Sequence, residues 1–137
     1  MSTKSKAKGT RAETEAVKYL QQKFGPKVER RALSGSKDKG DIAGIDNCAG
    51  EVKATAQQRL AQWQRETLTE MVNADAANCF LVVKVPYKNV SKWDFWMPAY
   101  QLGLEVVSDP MEARWVRMDF ELGRDVLWCV TVETRYL

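Results

Sequence analysis

The sequence predicts an α/β domain with a mixed central sheet flanked by helices and, at the C-terminus, a β-hairpin. Three observations carry that reading. Apolar residues recur at helical spacing in two stretches, from Thr10 to Phe24 and from Gln57 to Asn73. Cys79 to Val85 is an apolar run broken only by Lys84, as expected of a strand covered on both faces, and Trp93 to Met97 alternates. The chain has 137 residues and 45% hydrophobic content, which suffices for one core and leaves no room for a second.

Taken in order, Met1 to Lys8 is small, polar and cationic, so residues 1–8 are expected to be a disordered basic tail and residues 9–137 the single domain. In the first helix Ala12, Ala16, Val17, Leu20 and Phe24 share a face, and Gly25-Pro26 ends it. Glu13 lies at the edge of that face and can look inward, whereas Glu15 is read as an ordinary solvent-facing acid. Val28 to Leu33 reads as a strand, and Ser34 to Gly40 as a flexible loop whose glycines permit close backbone approach. Ile42 to Ile45 is the next strand, Asp46-Asn47 turns the chain, and Glu51-Val52-Lys53 opens the return strand.

In the second helix Leu60, Trp63, Leu68, Met71 and Val72 line one side, and Trp63 is assigned to packing. Gln57, Gln58 and Arg59 precede it, within reach of a bound backbone. Trp93, Phe95 and Met97 fall on one strand face, Asp94 and Trp96 on the other. Pro98 to Gly103 reads as a short Pro-initiated helix. Ala113 to Phe120 and Asp125 to Thr134, rich in β-branched residues around Gly123, read as the two strands of the hairpin.

Composition removes several chemistries. The chain has no histidine, which excludes histidine-dependent nucleases, imidazole-ligated zinc and hydrolases with a histidine base. Cys48, Cys79 and Cys129 are an odd, widely spaced set, which fits reduced, mostly buried thiols. No run reaches the roughly 18 apolar residues of a membrane span, and the lysine-rich start lacks the apolar core of a signal peptide, so no membrane partner and a cytoplasmic location are expected. Residues 1–40 hold eleven Lys/Arg against four acids, and the remainder ten against fourteen. A basic third thus precedes an acidic stretch, a layout suited to a polyanion. Its candidate contacts are Lys4, Lys6, Lys8, Arg11, Arg30, Arg31, Ser34, Lys37 and Lys39, and the guanidinium forks of the two adjacent arginines match phosphate geometry.

The acidic stretch carries the chemistry. Strand alternation puts Glu51 and Lys53 on one face, next to Asp41 from the neighbouring strand. Two such carboxylates can hold a hard cation such as Mg²⁺, and Lys53 lies near enough to orient or deprotonate an attacking water. Ser36 can donate a hydrogen bond to a phosphate nearby. On spacing alone, a surface hairpin with scattered charges stays open beside the catalytic reading.

Four pieces in order resemble the PD-(D/E)XK nucleases and, within them, the archaeal-type Holliday junction resolvases. These are Gly9-Thr-Arg-Ala-Glu13, Ser34-Gly35-Ser36 followed by lysines, Asp41-Ile42, and Glu51-Val52-Lys53, over roughly residues 8–100. The resemblance implies a restriction-endonuclease-like fold and a metal-dependent endonuclease, in which Asp41, Glu51 and the Val52 carbonyl hold Mg²⁺ or Mn²⁺. Lys53 handles the water, and Glu13 and Ser36 assist. It implies as substrate a branched DNA junction cut by a homodimer in recombination or phage DNA processing. The family's proline before the first aspartate is Gly40 here, which is expected to loosen the loop. Two alternatives stand beside it. One is another nuclease of the class, such as a RecU-type resolvase acting on branched or duplex DNA, whose Glu-x-Lys-x-Thr strand is similar to Glu51 to Thr55. The other is a DNA-binding module that does not cut.

Overall fold

The computed structural model describes residues 3–31, 37–55 and 57–136, with side chains over 9–31, 37–55 and 57–132. Six strands form one sheet in the order of the chain: β1 (Glu29–Arg30), β2 (Ile42–Ala43), β3 (Cys48–Lys53), β4 (Asn78–Val83), β5 (Asp94–Pro98) and β6 (Trp115–Asp119). Every neighbouring pair is antiparallel except β3 and β4, which run parallel from Cys48 opposite Asn78 to Lys53 opposite Val83. A parallel pair needs a crossover, and α2 (Leu60–Asn73) supplies it. The mixed α/β class is therefore as expected.

The two central strands alternate between two cores. On one face Cys48, Val52, Phe80 and Val82 pack with Phe95 and Met97 of β5, beneath α1 (Thr3–Phe24) and α3 (Phe120–Tyr136). On the other, Ala49, Cys79, Leu81 and Val83 meet Leu68, Met71 and Trp63 of α2. Trp63 and Trp93 are fully interior, whereas Trp128 remains exposed. Cys48 and Cys79 are buried, Cys129 is exposed, and none is in a disulfide. Among the described residues no helix is long and apolar enough to cross a membrane.

Two expectations are corrected. The first helix begins at Thr3, not Thr10, so the backbone of residues 3–8 belongs to α1; the side chains of Lys4, Lys6 and Lys8 lie outside the described residues. The C-terminal hairpin does not exist. Its first half is β6, but Phe120 onward is the helix α3. Asp119 Oδ1 accepts the Leu122 N–H, as an N-capping aspartate does, and Phe120, Gly123, Leu127 and Thr131 form one buried stripe. Packing of that stripe overrides the strand preference of Val126, Val130, Thr131 and Val132.

Gly123 is therefore a packing residue and not a turn. A Cβ there would run into the Phe95 ring, whose own Cβ would lie 2.7 Å away, and Phe95 is wedged between Phe80 and Phe120. Gly123→Ala should lower the melting temperature by several degrees, because overpacking costs about 1–3 kcal/mol and exceeds the roughly 1 kcal/mol that alanine gains in a helix. A raised melting temperature would refute that account of α3.

Candidate functional site

β3 sets the positions. Val52 turns into the core under α1, so Glu51 and Lys53 point to the α2 side, and Glu51 is only 4% exposed. Asp41 is brought alongside by three hydrogen bonds. Its N–H donates to Gly50 O (2.8 Å), its carbonyl accepts from Arg31 N–H (2.7 Å), and its Oδ2 accepts from Val52 N–H (2.9 Å). Gly40 makes this approach possible. Its φ is +98°, and a Cβ would lie 2.8 Å from Gly50 O. Proline, locked near −65°, cannot take that conformation, so the expected loosening is corrected: Gly40 is what lets the loop cross tightly over β3.

Two further carboxylates escaped the sequence reading. Glu70 of α2 is 4% exposed, and an oxygen each from Asp38, Glu51 and Glu70 lie within 4.8 Å of one another. Asp38 is held by its own Oδ1, which accepts from Gly40 N–H, and by its carbonyl, which accepts from Asn73 Nδ2. The buried Oε2 atoms of Glu51 and Glu70 have no donor unless a neighbouring carboxyl is itself protonated. A signal for Glu70 was present: it stands seven residues after Trp63, on the buried stripe of its helix, where an acid is out of place. A cleft of about 260 Å³ between Asp38 and α2, lined also by Gln62, Arg65 and Thr69, opens beside these groups.

The electrostatics follow from burial and crowding. Burial, then the hydrogen bond and charge of Glu51, push Asp41 up to about 8. Burial and then Glu70 push Glu51 to about 9, and burial is also the main cause that raises Glu70 to about 7. Lys53 Nζ lies 3.7 Å from Glu51 Oε1 and 3.4 Å from Glu66 Oε2. Its burial alone would lower its pKa, but Glu51, Glu66 and Asp41 outweigh that and hold it above the ordinary lysine value. Lys53 is thus kept as an ammonium, which donates; of its two expected roles, orienting water fits and deprotonating it does not.

Glu13 faces the same place. Burial first, then the charge of Asp41, raise its pKa, and its Oε2 accepts from Arg30 Nε at 3.0 Å with Arg30 Nη2 at 2.9 Å. Arg30 is therefore committed to Glu13, though still half exposed. Arg31 is partly exposed, and its buried Nε has no acceptor among the described residues. Arg11, Lys37 and Lys39 are exposed, and Ser34 and Ser36 lie outside the described residues.

Hard carboxylate oxygens, two of them buried without donors, and no imidazole form a donor set suited to Mg²⁺, Mn²⁺ or Ca²⁺. Comparison with protein-family models, curated proteins and solved structures found no match.

Proposed function

We propose that this protein is a divalent-metal-dependent endodeoxyribonuclease of the PD-(D/E)XK type, acting on branched DNA as a homodimer. The observation that carries the reading is the meeting of Asp41, Glu51 and Lys53, which the Val52 N–H to Asp41 hydrogen bond and strand alternation bring to one place. Asp41 and Glu51 would hold the cation. The Val52 carbonyl is a third donor, because a strand residue's carbonyl and amide face the same edge and its amide already faces Asp41. Bound there, Mg²⁺ or Mn²⁺ supplies the positive charge that phosphodiester hydrolysis needs.

The chain's own groups divide the remaining work. Lys53 holds its proton at Nζ and donates to the water or the phosphate, and Glu66 and Glu51 fix its position. Glu13, near enough to Asp41 to feel its charge, would position the attacking water. Arg31, whose side chain is partly exposed, would turn its guanidinium to a phosphate oxygen, while Arg30 orients Glu13. Arg11, Lys37 and Lys39 supply further positive charge along the strand. A four-way junction presents two symmetric strands, which a two-fold dimer with one site per subunit matches.

The test uses a labelled four-way junction and a linear duplex of the same sequence, with Mg²⁺ or with EDTA, alongside sedimentation of the protein. Paired, symmetric cuts in the junction are expected only with Mg²⁺, from a dimer. Cutting that persists in EDTA would remove the metal reading. A monomer that cuts linear duplex equally well would remove the junction assignment and leave the nuclease.

A further inference from the structure

We infer that Tyr87, at the tip of the turn between β4 and β5, is a stacking platform for a nucleobase near the cut, with Lys84, Lys88 and Lys92 holding the phosphates on either side of it. The inference rests on the nuclease reading and adds to it a means of telling a branched substrate from plain duplex.

The turn leaves the sheet at the catalytic end. β3 and β4 run parallel, so both finish on the same side, and Lys84 N–H donates to Lys53 O at 2.8 Å. Tyr87 follows three residues later, at most about 11 Å from Lys84 along an extended chain. That reach is on the order of three nucleotides of a stacked strand, at about 3.4 Å each.

The fold by itself gives no reason for a tyrosine there. Lys88 N–H donates to Val85 O across Pro86 and Tyr87, and Tyr87 has a φ of +65°. Proline second and a positive φ third make the pattern of a type II turn, whose third position favours glycine or asparagine. The other non-glycine residues with positive φ among the described residues are Asn47 and Asp75, whose short polar side chains tolerate it, whereas a bulky ring is strained. Tyr87 recovers nothing by packing, because it is fully exposed. The support beneath it is fixed. Trp93 is fully buried, its Nε1 donates to Lys88 O, and Lys84 Nζ rests 5.8 Å from the centre of its ring. Asn89 Oδ1 accepts from Ser91 N–H and closes the far side of the turn.

Charge identifies what meets the ring. From Lys84 to Trp93 there are three lysines and no acid, although residues 41–137 carry ten basic residues against fourteen acids. Among the described residues no ion pair joins Lys84, Lys88 or Lys92 to a carboxylate. Unpaired ammoniums around an exposed aromatic ring fit a nucleic-acid strand, with phosphates on the lysines and a base on the ring. Inside a continuous duplex each base is already covered on both faces. A branch point interrupts the stacking and leaves a base face open for Tyr87.

The full chain is titrated in EDTA, so that the DNA stays whole, with a four-way junction and with a linear duplex of the same sequence. Tyr87→Ala should weaken junction binding about tenfold and duplex binding less than about twofold, while Tyr87→Phe keeps the wild-type affinity. Lys84→Ala, Lys88→Ala and Lys92→Ala should each lower the slope of log affinity against log salt by about one. 5-Iododeoxyuridine placed beside the branch point should crosslink under long-wavelength ultraviolet light to the peptide that contains Tyr87, and the crosslink should vanish in Tyr87→Ala. Tyr87→Gly should melt no lower than wild type, since glycine suits the turn better. A clearly lower melting temperature would make the ring part of the fold and overturn the inference. Equal junction affinity in wild type and Tyr87→Ala, with the crosslink elsewhere, also overturns it and leaves the nuclease reading standing. A wild-type protein that binds neither DNA overturns both.

Discussion

Asp41→Asn is expected to abolish Mg²⁺-dependent junction cleavage, by about 10³-fold or more, and to weaken Mn²⁺ binding with it. Lys53→Ala should lose a comparable factor in rate, on the order of 10²–10³ for removal of a group that stabilises developing charge, yet keep Mn²⁺. The two losses have different causes. Asp41 offers Oδ1 to a cation while Val52 N–H holds Oδ2, so its neutralisation removes a ligand. Lys53 is an ammonium between Glu51 and Glu66, and its removal takes away a positive charge that competes with the ion. DNA affinity should persist in Lys53→Ala, because the phosphate contacts proposed above lie in the basic first third and in the turn that carries Tyr87. Single-turnover cleavage and Mn²⁺ titration on the same samples check the split. A Lys53→Ala protein that still cuts at the wild-type rate would end its assignment to the chemistry.

Without metal, the protein should become steadily less stable as pH rises. Asp41, Glu51 and Glu70 are raised to about 8, 9 and 7, whereas unfolded carboxyls titrate near 4. Between those limits the folded state holds more protons than the unfolded state, so the slope of stability with pH is negative. The contribution is fully present below about pH 4 and is lost as pH passes through the folded values. Each proton of difference is worth about 1.4 kcal/mol per pH unit, so melting temperature in EDTA should fall by several degrees or more from pH 5 to pH 9. Excess Mg²⁺ should reverse the trend, since a cation binds the deprotonated carboxylates and stabilises by mass action. Glu51→Gln should flatten the EDTA profile and raise its alkaline end. Thermal melts across that range decide the matter, and a flat wild-type profile in EDTA would mean that the carboxyls are not crowded as the geometry has them.

The parts of this molecule that sequence reveals are those set by short-range pattern. Strand alternation alone put Glu51 and Lys53 on one face, and the apolar run from Cys79 to Val85 pointed to an interior strand, observed as Asn78–Val83. Glu70 was hidden for a different reason. It lies nineteen residues beyond Glu51, and only the docking of α2 on β3 brings them together. α3 was misread because its β-branched residues favour strands locally, while the aromatic stack of Phe80, Phe95 and Phe120 that favours a helix there is assembled from three parts of the chain. Gly40 was read for what it lacks relative to proline, when its positive φ was what the crossing required.

The strand order has a consequence for how the protein comes into being. With neighbours in the sheet also neighbours in sequence, β1-β2-β3 and β4-β5-β6 are two meanders, and only the parallel β3–β4 seam joins them. Each meander can form through near-neighbour contacts, whereas the seam must wait for the α2 crossover to close, so it is the slow step. Asp41 and Glu51 belong to the early half and Glu70 to the crossover itself. A chain emerging from the ribosome therefore presents Asp38, Asp41 and Glu51 before Glu70, and completes the cluster only when the two halves of the sheet zip together.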